Sequence, residues 1–184
     1  GKRMKKTAVL LDEGFEEIEA LSPVDLLRRA GVQVDLIGAS NQTEVTGRSG
    51  ITVKGTIPMK DYSFDDIDCL VLPGGGHYVK LEANPNVKEE ILKAFSNPDV
   101  VLGAICASPT ILGRMGLLKG KNYTCFLSMN EDFGGTLHPD VYAITDGKLV
   151  TAKSAAAGVD FGMALIEALL GANKAQEIKE SIYY

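Results

Sequence analysis

Apolar residues in this chain fall into short dense runs, separated by longer stretches in which they recur every three or four positions. Thr7 to Leu11 is the first dense run. It ends in the turn Asp12-Glu13-Gly14 and reads as a buried strand. Glu16 to Ala30 has helical periodicity, with Gly31 standing where a helix stop belongs. Inside it, Ser22, Pro23 and Asp25 have the form of a second helix start, which predicts a short first turn, a kink, and a helix through Arg29. Val32 to Gly38 reads as the next strand. Residues 39–60 are polar and Gly-rich, with strand-like pieces at Thr43 to Thr46 and Ile51 to Lys54 that suit a hairpin or sheet extension. Asp68 to Pro73 is a further buried strand and runs into Gly74-Gly75-Gly76. Asn86 to Phe95 is an amphipathic helix, Val100 to Ile105 a fourth buried run, and Ala107 to Met115 a helix. Tyr123 to Leu127, Tyr142 to Thr145 and Leu149 to Ala152 read as strands, the last two joined as a hairpin by Asp146-Gly147. Val159 to Leu170 and Ala172 to Ser181 are closing helices.

Strands alternating with helices predict βαβ units, a mostly parallel sheet and helices on both faces. Ligands in such sheets gather at the carboxyl ends of the strands. The acidic turn after Leu11, the glycine turn after Pro73, and Cys106 all leave such ends. No linker or repeat interrupts the chain, so residues 4–184 read as a single domain. Residues 1–3 are set aside as a processing remnant or disordered terminus.

Composition narrows the classes. The 184 residues are 45% hydrophobic and 23% charged, near globular averages. The formal net charge of −5 gives no global attraction to nucleic acid or to an anionic membrane. No apolar run approaches the ~20 residues that span a bilayer. Three cysteines without paired spacing make a poor disulfide framework, which points to a reducing, cytoplasmic compartment. With two histidines and no CxxC or HExxH, neither a metal site nor a cofactor is expected.

The strongest chemical feature is Cys106. A buried strand turns at once into a helix and the junction residue is a nucleophile, flanked by the small residues Ala104 and Ala107. A thiol at a helix N-terminus sits in a positive field that favours thiolate. The alternative is a small inert hydrophobe, the usual place of a free cysteine and the reading preferred for Cys69 and Cys125. Glu16 and Glu19 share a helical face and one of them can look into the same crevice, while Glu17 points to solvent. Beside a thiolate such a carboxyl keeps its proton and donates it as a hydrogen bond to sulfur. Acids in a first helical turn also often only complement the dipole. Gly74 and Gly75 expose backbone N–H groups that could face an oxyanion. His77 follows them and could reach the crevice mouth, whereas His138, before Pro139, reads as surface.

These pieces resemble the ThiJ/PfpI superfamily, in the branch of the Parkinsonism-associated protein deglycase. The matching segments are Gly14 to Glu19, Pro23 to Gly31, Val71 to Gly75, Ala104 to Thr110 and Asp160 to Leu169, which together span nearly the whole chain. The resemblance implies a flavodoxin-like three-layer α/β/α sandwich and a homodimer. It places the reactive cysteine at Cys106 and its protonated partner at Glu19. It places oxyanion-type donors at the backbone of Gly75 and Ala107 and a second acidic residue near the site at Glu16; Glu16, Gly74 and His77 are the candidate substrate contacts, the last two from their place in the glycine turn. It implies glyoxalase III-like or deglycase-like action on a small reactive carbonyl such as methylglyoxal, or on its adducts. A non-enzymatic oxidative-stress sensor or chaperone working through Cys106 oxidation is the alternative, and an intracellular peptidase a lesser one. Three departures stand out. Ala107 occupies the place of the peptidase branch's histidine. Phe126 stands near a histidine of the deglycase branch. Ser154 to Ala157 replaces a Gly-Pro-Gly stretch.

Overall fold

A computed structural model describes residues 3–184. The elements in chain order are β1 (Lys6–Leu11), α1 (Glu17–Arg29), β2 (Gln33–Gly38), β3 (Glu44–Thr46), β4 (Thr52–Lys54), β5 (Ile57–Pro58), β6 (Cys69–Leu72), α2 (Tyr78–Ala83), α3 (Pro85–Ser96), β7 (Val101–Ile105), α4 (Ser108–Arg114), β8 (Asn122–Tyr123), β9 (Thr136–Leu137), β10 (Ala143–Asp146), β11 (Leu149–Ala152), α5 (Gly158–Leu170) and α6 (Ala172–Ser181). The main sheet runs β10-β11-β7-β6-β1-β2-β5, parallel throughout except for the antiparallel edge strand β10.

The side-chain period of two along a strand divides the apolar residues between two cores. Val9 and Leu11 of β1 and Val101 and Ile105 of β7 face one side, against Leu26 and Leu27 of α1 and Phe161 and Leu165 of α5. Ala8 and Leu10, with Leu102 and Ala104, face the other, against Leu81 of α2, Ile91 of α3 and Ile111 of α4. Strands buried on both faces are why these runs read as continuously apolar. The result is the expected three-layer α/β/α sandwich with a mostly parallel sheet. The predicted hairpins are present at β3–β4 and β10–β11. No helix among the described residues is long and apolar enough to cross a membrane.

Four local readings need correction. α1 is one continuous helix with Pro23 inside it. Pro23 leaves the Glu19 carbonyl without its helical donor. Packing of α1 on α5 outweighs that loss, since Gly162 lets the Pro23 backbone and Leu26 approach closely. The short helix α2 went unread, being under two turns long and following a glycine run. Of the segment Tyr123 to Leu127 read as a strand, only Tyr123 is in a ladder, with Asn122 before it. Beyond them the Thr124 N–H donates to Thr151 Oγ1 and the Phe126 N–H to the Cys106 carbonyl, so those groups serve the sheet's crevice instead. Finally, Arg3, set aside with the terminus, makes two 2.8 Å hydrogen bonds to Asp68. Gly1 and Lys2 lie outside the described residues.

Candidate active site

β7 delivers Cys106 to the carboxyl edge of the sheet, where its φ is +66°. A non-glycine residue in this left-handed region is strained by about 1–2 kcal/mol. The surroundings impose it: the Cys106 N–H donates to the Ala152 carbonyl at 2.9 Å, and its carbonyl accepts from the Phe126 N–H at 2.8 Å. α4 starts immediately afterwards, and the Ala107 N–H is directed at the sulfur. Ser108 Oγ donates to the Pro73 carbonyl at 2.6 Å, tying this turn to the glycine loop. The thiol is half-buried, unlike the fully buried Cys69 and Cys125.

Glu19 reaches the same point from the first turn of α1. The Phe15–Gly75 bridge and the 2.9 Å bond from the Glu16 N–H to the Gly74 carbonyl dock the helix start on the glycine loop. Glu19 is 1% exposed; the Cys106 thiol and the Gly74 N–H approach its carboxyl, and its Oε1 is left without a close hydrogen-bond partner. Gly74 makes the meeting possible. A methyl group there would overlap Glu19 Oε1 and stand 2.6 Å from the Cys106 Cβ. Gly75 has φ +98°, and a side chain on it would strike the Glu16 N–H and the Gly14 carbonyl.

Burial pushes the Glu19 carboxyl up to about 7, with the hydrogen bond from Cys106 pulling down against it and the charge of Glu16 adding to the rise. Burial, and then the charge of Glu19, push the Cys106 thiol up to about 12, opposed by Ser154 and the Ala107 N–H. The two titrations are coupled: beside ionised Glu19 the sulfur keeps its proton. When Glu19 is protonated the same contact becomes a donor to sulfur and favours thiolate. The two groups share a single negative charge, and one proton decides which of them bears it.

A model of the DJ-1/PfpI family matches residues 5–168. The chain belongs to this family. It is 27% identical over 180 residues to Drosophila melanogaster protein dj-1beta, covering 97% of this chain and 96% of that one. It is 35% identical over 152 residues to Bacillus subtilis YraA, covering 82% and 89%. It spans 40% of the longer DJ-1 homolog B of Arabidopsis thaliana. Among solved structures, a cysteine-to-alanine mutant of the Salmonella typhimurium DJ-1 superfamily protein STM1931 superposes with a TM-score of 0.88 at 31% identity, covering 98% of this chain and 99% of that chain. Drosophila DJ-1beta superposes with a TM-score of 0.88 at 27% identity, covering 98% of both chains. Family membership makes Cys106 the residue to explain, in a cysteine-dependent role.

The other expected site residues divide. The Gly75 N–H makes no backbone hydrogen bond among the described residues, and the Ala107 N–H meets the sulfur. Glu16 is spent differently: its Oε2 accepts from the Glu19 N–H at 2.9 Å, making it the N-cap of α1. Gly74 contributes room rather than a free ligand contact. His77 is fully buried, accepting at Nδ1 from the Asp12 N–H (3.0 Å) and meeting the Pro73 carbonyl at Nε2 (2.7 Å). The acceptor role of Nδ1 fixes the proton on Nε2, and burial lowers its pKa to about 4. It is a neutral strut and does not reach the crevice. Glu17, expected in solvent, is buried and accepts from the Ser49 and Ile51 N–H groups. Burial pushes it up, but these backbone bonds more than offset that and hold it below the usual carboxylate range.

Two neighbours of the pair went unread. Ser154 Oγ lies 3.6 Å from Cys106 Sγ. Arg48, in the β3–β4 loop, lies close enough for its charge to favour ionised Glu19. Neither has a motif of its own. The replacement of Gly-Pro-Gly by Ser154 to Ala157 was the one available signal.

Proposed function

We propose that the chain acts on methylglyoxal-type dicarbonyls or their early adducts, as a glyoxalase III-like or deglycase-like enzyme without a cofactor. The observation that carries this reading is the buried Glu19 carboxyl, whose Oε1 lacks a close hydrogen-bond partner, set beside the Cys106 thiol. As sulfur attacks the aldehyde carbon, the thiol proton passes to Glu19 and then to the new alkoxide, leaving a hemithioacetal. Glu19 removes the hydrogen on that carbon and the electrons shift to the adjacent ketone to give an enediolate; the hydroxyl proton on the first carbon moves to the former ketone oxygen as Glu19 returns its proton at the second carbon. The product is a 2-hydroxyacyl thioester on Cys106, and water hydrolyses it to the 2-hydroxy acid and free thiol. The N–H groups of Gly75 and Ala107 would hold the oxygen while it is negative. A carboxyl poised near neutrality suits both directions of transfer. Cys106→Ser is expected to lose turnover of methylglyoxal to lactate; full retention would overturn the reading.

A second reading has its own support. Cys106 is half-buried while Cys69 and Cys125 are fully buried, so mild peroxide would select it. Selective gain of two oxygens at Cys106, with no aldehyde turnover, would favour an oxidative-stress sensor. A peptidase is disfavoured, because His77 is locked away and His138 is bonded to Asn122. We further propose a cytoplasmic homodimer. The three free cysteines favour the compartment. The exposed Ile18, Ile51 and Val159 around the start of α1 favour a covered face.

A further inference from the structure

The Cys106–Glu19 pair has a third neighbour, Ser154. We infer that Ser154 is a functional group of the site, whose hydroxyl donates a hydrogen bond to the Cys106 sulfur and stabilises negative charge there while Glu19 holds the proton. The inference rests on Cys106 being the nucleophile and is independent of which carbonyl it attacks.

The geometry points to this direction of donation. At 3.6 Å either the hydroxyl or the thiol could donate. Glu19 Oε1 favours the hydroxyl as donor to sulfur, because it is buried beside the thiol without a close hydrogen-bond partner and can accept the thiol proton. The sulfur lone pairs are left to accept, and the Ser154 hydroxyl and the Ala107 N–H are the donors facing them. In the transfer, the S–H bond breaks, its proton forms an O–H bond on Glu19, and the electron pair stays on sulfur. Ser154 keeps its own proton throughout.

The serine is also held in place. Its backbone is fully extended, and its carbonyl accepts from the Ala157 N–H at 2.9 Å in the single 3-10 turn Ala155–Ala157. Two residues earlier, the Ala152 carbonyl takes the Cys106 N–H, and the Lys153 N–H donates to the Tyr142 carbonyl. Gly158 then packs on the Ile18 carbonyl and Ser22 Oγ of α1, so the segment carrying Ser154 and the helix carrying Glu19 are in direct contact on either side of the sulfur. The charged groups acting on the pair are Glu19 and Glu16 from α1 and Arg48 from the β3–β4 loop. No other side-chain hydroxyl stands within hydrogen-bond reach of the sulfur among the described residues.

The test is the pH profile of Cys106 alkylation by iodoacetamide, followed by intact-protein mass from pH 5 to 11, for wild type, Ser154→Ala and Ser154→Gly. Both variants should react about 3- to 10-fold more slowly at pH 7, with the midpoint moved up by roughly half to one pH unit, as loss of one hydrogen bond to sulfur requires. Agreement between the two variants separates the hydroxyl from backbone freedom, which only glycine changes. Superimposable profiles, a slower rate with an unmoved midpoint, or disagreement between alanine and glycine would overturn the assignment. A shifted midpoint in a protein that turns over no dicarbonyl would uphold Ser154 and refute the proposed activity instead.

Discussion

Replacing Glu19 by glutamine should give a protein whose stability advantage over wild type grows as pH rises from 4.5 to 7. The carboxyl is buried, and its pKa rises from 4.5 to about 7 on folding, mainly by desolvation. A group whose folded pKa is raised contributes its full stability below the unfolded value and loses it as pH climbs through the folded one. The wild type therefore gives up stability between pH 4.5 and 7. At 1.36 kcal/mol per pH unit the loss comes to about 3 kcal/mol. Glutamine has the same shape, stays neutral, and can still donate to sulfur. Urea unfolding at pH 4.5, 6 and 8 measures the difference directly. The variant's advantage over wild type should grow by about 3 kcal/mol across that range. For a domain of this size that corresponds to roughly 6–12 °C in unfolding midpoint. An advantage that does not change with pH would refute the argument that burial raises this carboxyl. A loss of activity in the same variant would show a stability–function trade at one residue.

The remaining predictions concern the supports of the pair. Gly74→Ala places a methyl over Glu19 Oε1; it should destabilise the fold by about 1–3 kcal/mol in denaturant unfolding and cut methylglyoxal turnover at least tenfold. Cys106→Gly should be about 1 kcal/mol more stable than Cys106→Ala, since only glycine relieves the +66° φ; equal stabilities would mean the elbow carries no strain. His77→Gln should cost about 2–3 kcal/mol through lost buried hydrogen bonds, yet leave the midpoint of Cys106 alkylation where it is; a moved midpoint would return His77 to the site. Glu17→Ala should speed amide hydrogen exchange at Ser49 and Ile51, whose N–H groups it orphans, while exchange in α3 stays unchanged.

How much of this was legible in the sequence depends on how local the cause is. The buried strands were visible because Val9, Leu11, Ala8 and Leu10 must satisfy two cores at once. Cys106 was visible because an elbow is a property of neighbouring residues, whereas the helix start left Glu16 and Glu19 open and only the family resemblance chose Glu19. The errors came where contacts between distant segments overrode local signals. Ser22 and Pro23 resemble a helix start, but α5 packs over them and keeps α1 whole. Glu17 seemed solvent-facing by helical phase, until the β3–β4 hairpin folded its N–H groups onto it. His77 follows a glycine turn that suggested exposure, yet the Asp12 N–H and the Pro73 carbonyl draw its ring into the core. Ser154 is 48 residues from Cys106, and only the pairing of β11 with β7 brings them together. The balance of charge at the sulfur is likewise set by distant segments. The helix-end field is local, whereas the desolvation and the Glu19 charge that oppose it come from α1.

The central claim is that Cys106 and Glu19 act as one unit that shares a proton. Conversion of methylglyoxal to lactate by wild type, Cys106→Ala, Glu19→Gln and the double variant, assayed in parallel at pH 7, tests it most directly. The account predicts measurable turnover by the wild type, and that either single variant loses nearly all of it, with the double variant no worse than the singles. Turnover by Cys106→Ala, or losses that multiply in the double variant, would contradict it.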